Sequence, residues 1–446
     1  MSGLAEILAK DGFFVSGSDR TASATTAHLH NMGIHINIGC SSTNITSDID
    51  LVVYTAAIKP ENPERMAADA LGIPTMVRAE LLGAMLKDYE FAICIAGSHG
   101  KTSTTALITA IALEAGLDPT VNIGGYIGDK NYIVGNSPYF ILESCEYSNS
   151  YHHFYPQIGV ILNIDADHMD FHGSMDAIIR SFARFAQNIR PGGTLIIQEG
   201  IPGFDSIVTG LKCKIVTFCT AEVCPPISTS LGTLRYWLRN MNTSADMSSF
   251  EIMANDEHVT GINLSLPGKH NIYNALAAYA IAHELGVKPE IAVAALSQAP
   301  SVRRRYEYKG DFSGTLIIDD YAHHPTEIKA CLAATREAYP DRRLVCIFQP
   351  HTYTRTRNHF DDFAEAFADA DIVLFVPIYA AREPYDPSIS SEMLSNKVGS
   401  YGHYSVNCNT LEEAESWLRK KLIPQDLLIT MGAGDVYLVG DRLLAK

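Results

Sequence analysis

The chain has 446 residues, of which 47% are hydrophobic and 19% are charged, a composition typical of globular proteins that bury a core. Its 34 basic and 50 acidic side chains give a formal net charge of −16, which argues against binding to nucleic acid or to an anionic membrane surface. Because no stretch approaches the ~18 uninterrupted apolar residues of a membrane span and the N-terminus lacks the pattern of a secretion signal, we expect a cytoplasmic protein.

The first 88 residues alternate between helical and strand-like segments, which predicts a parallel sheet covered by helices. The predicted strands include residues 13–16, 35–38 and 51–55. Ligands bind such sheets beyond the carboxyl ends of the strands, so Asp19 is a candidate substrate-binding residue, with ordinary loop polarity as the alternative. The chain opens with a predicted helix, so we expect the first strand and glycine-rich turn of such a domain to be absent.

Residues 91–102, FAICIAGSHGKT, predict a buried strand, a glycine loop and the start of a helix that stops at Gly116. This order is typical of a phosphate-binding loop, because backbone N–H groups and the helix N-terminus attract phosphate oxygens. Lys101 would reach the terminal phosphates of ATP, and the Thr102 hydroxyl would hold Mg²⁺. The strict P-loop spacing, G-x-x-x-x-G-K-[ST], requires glycine at the position of Ile95. The loop is therefore a shortened form of that motif. The candidate nucleotide-binding residues of this loop are Gly97, Ser98, His99, Gly100, Lys101, Thr102 and Ser103.

Two later strands also end in groups that bind metals. Residues 139–142 run into Glu143-Ser144-Cys145-Glu146, and residues 159–164 run into DADHMD at 165–170. Magnesium prefers oxygen ligands together with substrate phosphates. Glu146 and His168 are therefore candidate metal ligands, with solvated loops as the alternative.

A predicted helix begins near residue 267 and runs to 285. Asn271 and Asn274 lie three residues apart on one face of its first turn, where their amides could contact an adenine edge. The alternative is capping of the helix N-terminus by asparagine. The preceding residues, 205–266, carry a weaker pattern of short β-like runs without a functional interpretation.

Residues 303–446 predict a third α/β unit. One strand, 316–318, runs into DDYAHHPTE, and another, 344–348, runs into QPHTYTRTR. A strand over 426–431 ends in GAGD, a second glycine turn. The arginines that follow a buried strand are more typical of a carboxylate or phosphate site than of a solvated basic loop. We place the domain borders near residues 88 and 302, which gives domains 1–88, 89–302 and 303–446.

Taken together, the motifs resemble those of the Mur ligases over nearly the whole chain. The matching stretches are GSHGKTST, LESCEYSNS, NIDADHMD, GKHNIYNALAA, RRRYEYKG, DDYAHHPTEI, QPHTYTRTR, YAAREP and GAGD. The resemblance implies three α/β domains: a Rossmann-like domain for the UDP-sugar, a central P-loop ATPase domain and a Rossmann-like C-terminal domain that binds the amino acid. The absent first turn would be the one that holds the UDP diphosphate in the family.

The resemblance also implies roles for individual residues. Lys101 and Thr102 match the residues for the ATP phosphates and magnesium, and Glu146 and His168 match ligands of a second magnesium. Arg305 matches an arginine that reaches ATP phosphate, with Arg304 as a close rival. The remaining matches are His270, Asn271 and Asn274 at adenine, Asp320 at ribose, and Tyr321, His323 and Arg355 around the amino acid, with His323 as a possible base.

The implied reaction joins L-alanine to the carboxylate of UDP-N-acetylmuramate through an acyl phosphate, with ATP and Mg²⁺, by a monomer or weak homodimer. The lack of lysine between Lys130 and Lys212 fits the alanine-adding branch, because some other branches carry a carbamylated lysine there. Thr352 departs from the arginine of many relatives, which leaves Arg355, and also Arg357, for the alanine carboxylate. The alternatives are a ligase that attaches a recycled tripeptide and a non-catalytic nucleotide-binding relative.

Overall fold

The structure is a computed structural model that describes residues 1–446 except 129, 221–233, 246, 256, 300–301, 382 and 446, and except the side chain of residue 170. The predicted α/β class is confirmed: in the described residues, helices alternate with strands in four sheets, of ten, six, two and two strands. None of the described helices combines the length and apolar composition of a membrane-spanning segment.

The N-terminal region contains two separate pairs of parallel strands with flanking helices. Its elements are α1 Ser2–Lys10, β1 Ser16–Asp19, α2 Ala24–Asn31, β2 His35–Ile38, β3 Val52–Tyr54, α3 Pro63–Leu71, β4 Thr75–Val77 and α4 Arg78–Met85. No described strand joins the β1–β2 pair to the β3–β4 pair, so the expected single sheet is not formed here. The strand predicted over 13–16 is also wrong, because Phe13 and Phe14 are 63% and 95% exposed and the strand begins at Ser16.

Residues 91–297 form a ten-stranded sheet with helices on both faces. Its strands are β5 Phe91–Ala96, β6 Thr120–Ile127, β7 Lys130–Ile133, β8 Tyr139–Glu143, β9 Ile158–Ile161, β10 Thr194–Gln198, β11 Lys214–Phe218, β12 Leu234–Thr243, β13 Ser248–Ala254 and β14 Glu257–Leu264. Its helices are α5 Lys101–Glu114, α6 Met169–His172, α7 Met175–Gln187, α8 Phe204–Val208, α9 Lys269–Glu284 and α10 Pro289–Ser297. The weakly patterned stretch before α9 therefore supplies the antiparallel strands β12, β13 and β14 at one edge.

Strand β5 lies at the centre of this sheet, between β8 and β9, and runs parallel to both. Its side chains alternate between two cores: Ile93 and Ile95 pack with α5, α9 and α10, whereas Cys94 packs with α1, α4 and α7. Burial on both faces explains why the strand reads as one continuous apolar run. The carboxyl ends of β5, β8 and β9 are consequently adjacent at one edge of the sheet.

Residues 307–444 form a six-stranded sheet, parallel except for its edge strand β15. Its strands are β15 Glu307–Phe312, β16 Thr315–Asp320, β17 Leu344–Phe348, β18 Ile372–Phe375, β19 Tyr404–Asn407 and β20 Leu427–Met431. Its helices are α11 Pro325–Ala338, α12 Tyr353–Asn358, α13 Phe360–Glu365, α14 Ser391–Ser400, α15 Leu411–Lys421 and α16 Tyr437–Leu444. Apolar cores lie on both faces of this sheet.

The N-terminal region packs closely against the central sheet through α4. Gly83 of α4 is buried, and a Cβ atom at this position would overlap the carbonyl oxygen of His153. We expect Gly83→Ala to lower stability by about 1–3 kcal/mol, because the neighbouring backbone must shift. Differential scanning calorimetry would record this as a lower melting temperature.

The matched control is Gly399→Ala in α14, where the added Cβ would meet only Ser405 Cβ at 4.0 Å. Alanine is favoured over glycine in helices, so this control should leave the melting temperature unchanged or raise it slightly. Equal melting temperatures for the two variants would contradict the packing described for α4.

Candidate active site between the central and C-terminal sheets

The glycine loop after β5 has a backbone that other residues rarely adopt. Gly97 and Gly100 have φ angles of +147° and +80°. A Cβ atom at Gly97 would lie 2.9 Å from Leu162 Cβ, and one at Gly100 would overlap the Asn274 amide. Glycine is therefore required at both positions by conformation and by space.

Residues that follow β9 hold this loop in place. The His99 N–H donates to Asn163 Oδ1 at 2.7 Å, and the Asn163 amide donates back to the His99 carbonyl at 3.0 Å. The Asp165 N–H donates to Ser98 Oγ at 2.9 Å. The loop is thus preorganised by its neighbour in the sheet before any ligand binds.

Lys101 begins α5 and folds back over the loop. Its ammonium donates to the carbonyl oxygens of Gly97 and Ser98 at 2.5 and 2.9 Å and to Glu146 Oε1 at 3.1 Å. Burial acts to lower the pKa of Lys101, but the neighbouring acidic groups, Glu146 first and Glu143 as well, together raise the pKa above its ordinary value. The lysine is therefore a fixed positive charge at the loop.

Glu146, Asp167 and His168 form a group whose ligand atoms all lie within 4.8 Å of one another. His168 Nε2 lies 4.0 Å from Glu146 Oε1 and 3.8 Å from Asp167 Oδ2. Glu146 is 2% exposed, and its Oε2 lies 3.0 Å from the Lys101 ammonium yet accepts no hydrogen bond among the described residues. A buried carboxylate oxygen without a donor is suited to a hard cation.

Thr102, the other predicted magnesium residue, is 4% exposed and donates its hydroxyl to Glu143 Oε1 at 3.0 Å. Arg305 reaches the same hydroxyl from the C-terminal side, at 3.5 Å. Arg304 points elsewhere: its guanidinium donates to Asp319 Oδ2 at 3.0 Å and to the Gly432 carbonyl at 2.6 Å. Arg305 is therefore the arginine of this pair that faces the phosphate loop.

Asn271 and Asn274 of the predicted adenine segment at the start of α9 are buried, and their side chains diverge. Asn271 donates to the Pro267 carbonyl at 2.7 Å, whereas Asn274 Oδ1 accepts from Thr104 at 3.3 Å beside the phosphate loop. The alternative of asparagine capping is wrong, because Gly268 is the N-cap and no side chain caps this helix. Burial, and then the nearby Arg305, lower the pKa of His270 to about 4.

Asp320 ends β16, and its carboxylate accepts the N–H groups of Tyr306 and Ala322 at 2.8 and 2.7 Å. Burial raises the pKa of this carboxyl to about 6, although Arg305 opposes the shift. Tyr321 lies under Arg305, whose guanidinium carbon is 5.1 Å from the ring centroid.

His323 has its Nδ1 within 3.0 Å of the Tyr321 carbonyl oxygen, so Nδ1 carries the proton and Nε2 the lone pair. Burial lowers the pKa of His323 to about 3. This side chain is a neutral imidazole near neutral pH.

Arg355 of α12 spans the gap to the central sheet. Its guanidinium donates to Asp167 Oδ1 at 3.0 Å, and both side chains are about nine-tenths buried. Arg357 points away and pairs with Asp386, so Arg355 alone of the two faces the group around His168. Thr352 has no such contact: its hydroxyl accepts the Arg355 N–H at 3.4 Å and caps α12.

A second group of possible metal ligands, His99, Asp165 and His324, lies beside the loop. His99 Nε2 is 3.0 Å from Asp165 Oδ2, and its Nδ1 is 3.2 Å from Glu327 Oε1. Both ring nitrogens thus face carboxylates, which is the arrangement of a protonated imidazole rather than of a metal ligand.

Three family descriptions match the chain in succession. They are "Mur ligase family, catalytic domain" over residues 1–90, "Mur ligase middle domain" over 95–282 and "Mur ligase, glutamate ligase domain" over 304–434. The chain belongs to the Mur ligase family.

Individual relatives agree with this placement. UDP-N-acetylmuramate–L-alanine ligases of Lachnospira eligens and Agathobacter rectalis are 43% and 44% identical to the chain, each over all of it and 95% of the relative. Among solved structures, the UDP-N-acetylmuramate–alanine ligase of Thermotoga maritima superposes with a TM-score of 0.81 at 27% identity, covering all of this chain and 95% of that one. The predicted Mur ligase resemblance and three-domain architecture are confirmed.

In this Mur ligase the structure brings most of the predicted site residues to the cleft between the central and C-terminal sheets. Asp19 is an exception. Asp19 is exposed at the end of β1, where Oδ1 accepts the Thr21 N–H at 3.2 Å. Sequence reasoning missed several charged residues that pair with the predicted ones: Glu143, Asp165, Asp167 and Glu327. All four lie in the post-strand motifs already quoted, so proximity to a named residue was the available signal.

His99 should titrate well above an ordinary histidine. Burial alone would lower its pKa, but hydrogen bonds to Asp165 and Glu327 raise the pKa of this Mur ligase histidine to about 9. Because the folded pKa exceeds the ordinary 6.5, its contribution to stability is complete below about pH 6.5 and is lost as pH rises through about 9. Nuclear magnetic resonance titration of ¹⁵N-histidine-labelled protein measures this directly.

A His99→Gln variant assigns the resonance, and Asp165→Asn should move the titration to lower pH. A His99 resonance that titrates near pH 6.5 in the parent protein would contradict the two-carboxylate arrangement.

Proposed function

We propose that this Mur ligase joins L-alanine to the carboxylate of UDP-N-acetylmuramate at the expense of ATP, in the cytoplasmic synthesis of peptidoglycan precursors. The observation that carries the proposal is the convergence of three strand ends: Lys101 after β5, Glu146 after β8 and His168 after β9 lie together, with Arg305 and Arg355 facing them from the C-terminal side. The similarity to alanine ligases over the whole chain supports the choice of substrates.

The first step activates the carboxylate, because oxide is too poor a leaving group for direct attack by an amine. A carboxylate oxygen of UDP-N-acetylmuramate attacks the γ-phosphorus of ATP, the bond to ADP breaks, and an acyl phosphate forms. Phosphoryl transfer depends on positioning and on neutralising charge. Lys101 and Arg305 supply positive charge at the loop where the phosphates would bind, and the Thr102 hydroxyl lies between Arg305 and Glu143.

Magnesium fits the donor set beside Lys101. Glu146 offers a buried oxygen without a hydrogen-bond donor, His168 offers an imidazole nitrogen 4.0 Å away, and Thr102 offers a hydroxyl. Bound there, Mg²⁺ would neutralise phosphate charge. Asp167 completes the acidic group, so we add it to the predicted metal-site residues.

The second step forms the amide. The neutral amine of L-alanine attacks the acyl carbon, the carbon–oxygen bond to phosphate breaks, and inorganic phosphate leaves. Arg355 is the guanidinium placed to bind the alanine carboxylate, which would take the place of Asp167. The Nε2 lone pair of the neutral His323 is a candidate acceptor for the proton that the amine loses, and Tyr321 borders the same space.

We further propose that residues 1–88 bind the UDP-sugar, with Asp19 at its strand end, that residues 89–302 bind ATP, and that residues 303–446 bind the amino acid. Asp320, His270, Asn271 and Asn274 are assigned to the nucleoside of ATP. His270 and Asp320 are near Arg305, and Asn274 is next to Gly100 of the loop. The state of assembly proposed for the chain is a monomer or a weak homodimer.

The assay that tests this function measures ADP release by the purified chain with Mg-ATP, UDP-N-acetylmuramate and L-alanine. We expect ADP release only when all three substrates are present, with a product whose mass equals that of UDP-N-acetylmuramate plus L-alanine minus water. A product that contains a tripeptide instead would identify the recycling ligase. Absence of substrate-dependent ADP release would refute the proposed function and support the alternative of a non-catalytic nucleotide-binding protein.

Lys101→Met should lower alanine-dependent ADP release by about 10²–10³-fold, because it removes one preorganised charge from the transition state. Since the change also leaves Glu146 buried without its cation, which is destabilising, the double variant Lys101→Met/Glu146→Gln should melt closer to the parent and stay inactive. Lys420→Met, at an exposed position of α15, is the matched control and should keep full activity. Retained ligation in a folded Lys101→Met protein would refute the assignment of the loop.

A further inference from the structure

The His99 side chain sits between carboxylates that belong to different sheets. Asp165 follows β9 of the central sheet, 3.0 Å from Nε2, and Glu327 lies on α11 of the C-terminal sheet, 3.2 Å from Nδ1. The imidazole is 15% exposed. One side chain therefore joins the phosphate loop to a helix on the opposite side of the cleft.

A second contact crosses the cleft at the same place. The Thr326 hydroxyl of α11 donates to Asp165 Oδ2 at 2.7 Å. The first turn of α11 therefore supplies Thr326 and Glu327, the two residues that bridge the cleft to Asp165 and His99. Glu327 is fixed by its own helix, because its Oε2 also accepts the N–H groups of His323 and His324 at 3.1 and 3.3 Å. The bridge is therefore rigid at its C-terminal end.

At its central end the bridge is rigid as well. The backbone N–H and carbonyl of His99 are both bonded to the Asn163 side chain. Movement of α11 away from the central sheet would break the His99–Glu327 and Thr326–Asp165 contacts together. It would also carry away Arg305 and His323, which belong to the same side of the cleft.

The electrostatics agree with this geometry. The charged groups that face His99 are Asp165 and Glu327, and the ring of His324 lies at a centroid distance of 4.9 Å, tilted by 39°. The hydrogen bond from His99 lowers the pKa of Asp165. Burial acts to raise the pKa of Glu327, but the neighbouring His323 and His99 hold it well below its ordinary value. Both carboxylates are thus ionised against a protonated imidazole.

We propose that His99, Asp165, Thr326 and Glu327 form an interdomain latch, which holds the amino-acid side of the cleft against the phosphate loop and so positions Arg305, His323 and Arg355 for the ligation proposed above. These are positioning residues, and the proposal rests on that function. When a binding-competent state is only partly populated, the apparent affinity falls by the populated fraction. Loss of the latch should therefore weaken the binding of L-alanine more than it lowers the reaction rate at saturating L-alanine.

The test uses Glu327→Gln, Thr326→Val and the double variant in the full chain. Glutamine keeps an oxygen for the two helix N–H groups, so Glu327→Gln removes chiefly the charge that faces His99. Thr326→Val removes the Asp165 contact without touching His323. Glu337→Gln, on an exposed face of the same helix, is the matched control.

We expect each latch variant to raise the KM for L-alanine by about 10-fold, the effect of one charged hydrogen bond, with kcat changed less than about twofold. The dissociation constant of a fluorescent ATP analogue, measured without the other substrates, should rise by less than the KM for L-alanine, because the phosphate loop stays intact and only Arg305 and Asp320 of the proposed ATP contacts lie on the C-terminal side. Glu337→Gln should match the parent in all three quantities. An unchanged KM for L-alanine in both single variants would overturn the proposal, as would an equal loss of nucleotide binding.

Small-angle X-ray scattering supplies a readout that does not need turnover. The double variant should have a larger radius of gyration than the parent and than Glu337→Gln. Its central sheet should keep the melting temperature of the parent, which shows that the expansion is not unfolding. If the parent released no ADP with alanine, the proposed function would be refuted. The scattering comparison would still show whether the latch holds the two sides of the cleft together. Identical scattering of the parent and the double variant would rule the latch out.

Discussion

The position of β5 between β8 and β9 is the constraint on which the rest of the site depends. Parallel strands bring their carboxyl ends to one edge, so the phosphate loop, Glu146 and His168 meet although they are far apart in the chain. The loop is then bonded to the segment after β9 through Asn163 and Asp165. Sheet order thus fixes both the members of the site and the shape of the loop.

Two cations of the site are paired with carboxylates of the protein itself. Lys101 pairs with Glu146, and Arg355 pairs with Asp167, in surroundings where an unpaired charge would be costly. In the proposed reaction the alanine carboxylate would take the place of Asp167 with little change in net charge. The same logic explains why removing one partner alone is expected to affect folding as well as catalysis.

The two sides of the cleft contribute different kinds of group. The central sheet supplies the glycine loop, a lysine and the acidic group, which suit phosphate and metal. The C-terminal side supplies Arg305, His323 and Arg355, which suit charge stabilisation and binding of an amino acid. The proposed ligation requires both sides at once, so contacts such as His99–Glu327 and Thr326–Asp165 would bear on it without touching a reacting atom.

The sequence by itself determined the elements whose signals are local. Residues 91–96 were predicted as a strand with the bounds that the structure has, and α5, β17 and the post-strand motifs were predicted within a few residues, because apolar runs and glycine turns depend on near neighbours. The strand at 13–16 was wrong because an apolar pair, Phe13-Phe14, is exposed. Only the tertiary structure decided that the N-terminal strands form two separate pairs, that Arg305 rather than Arg304 faces the loop, and that Asp165, Asp167 and Glu327 join the site. Those outcomes depend on which distant segments meet across a sheet edge or a cleft, and no local pattern carries that information.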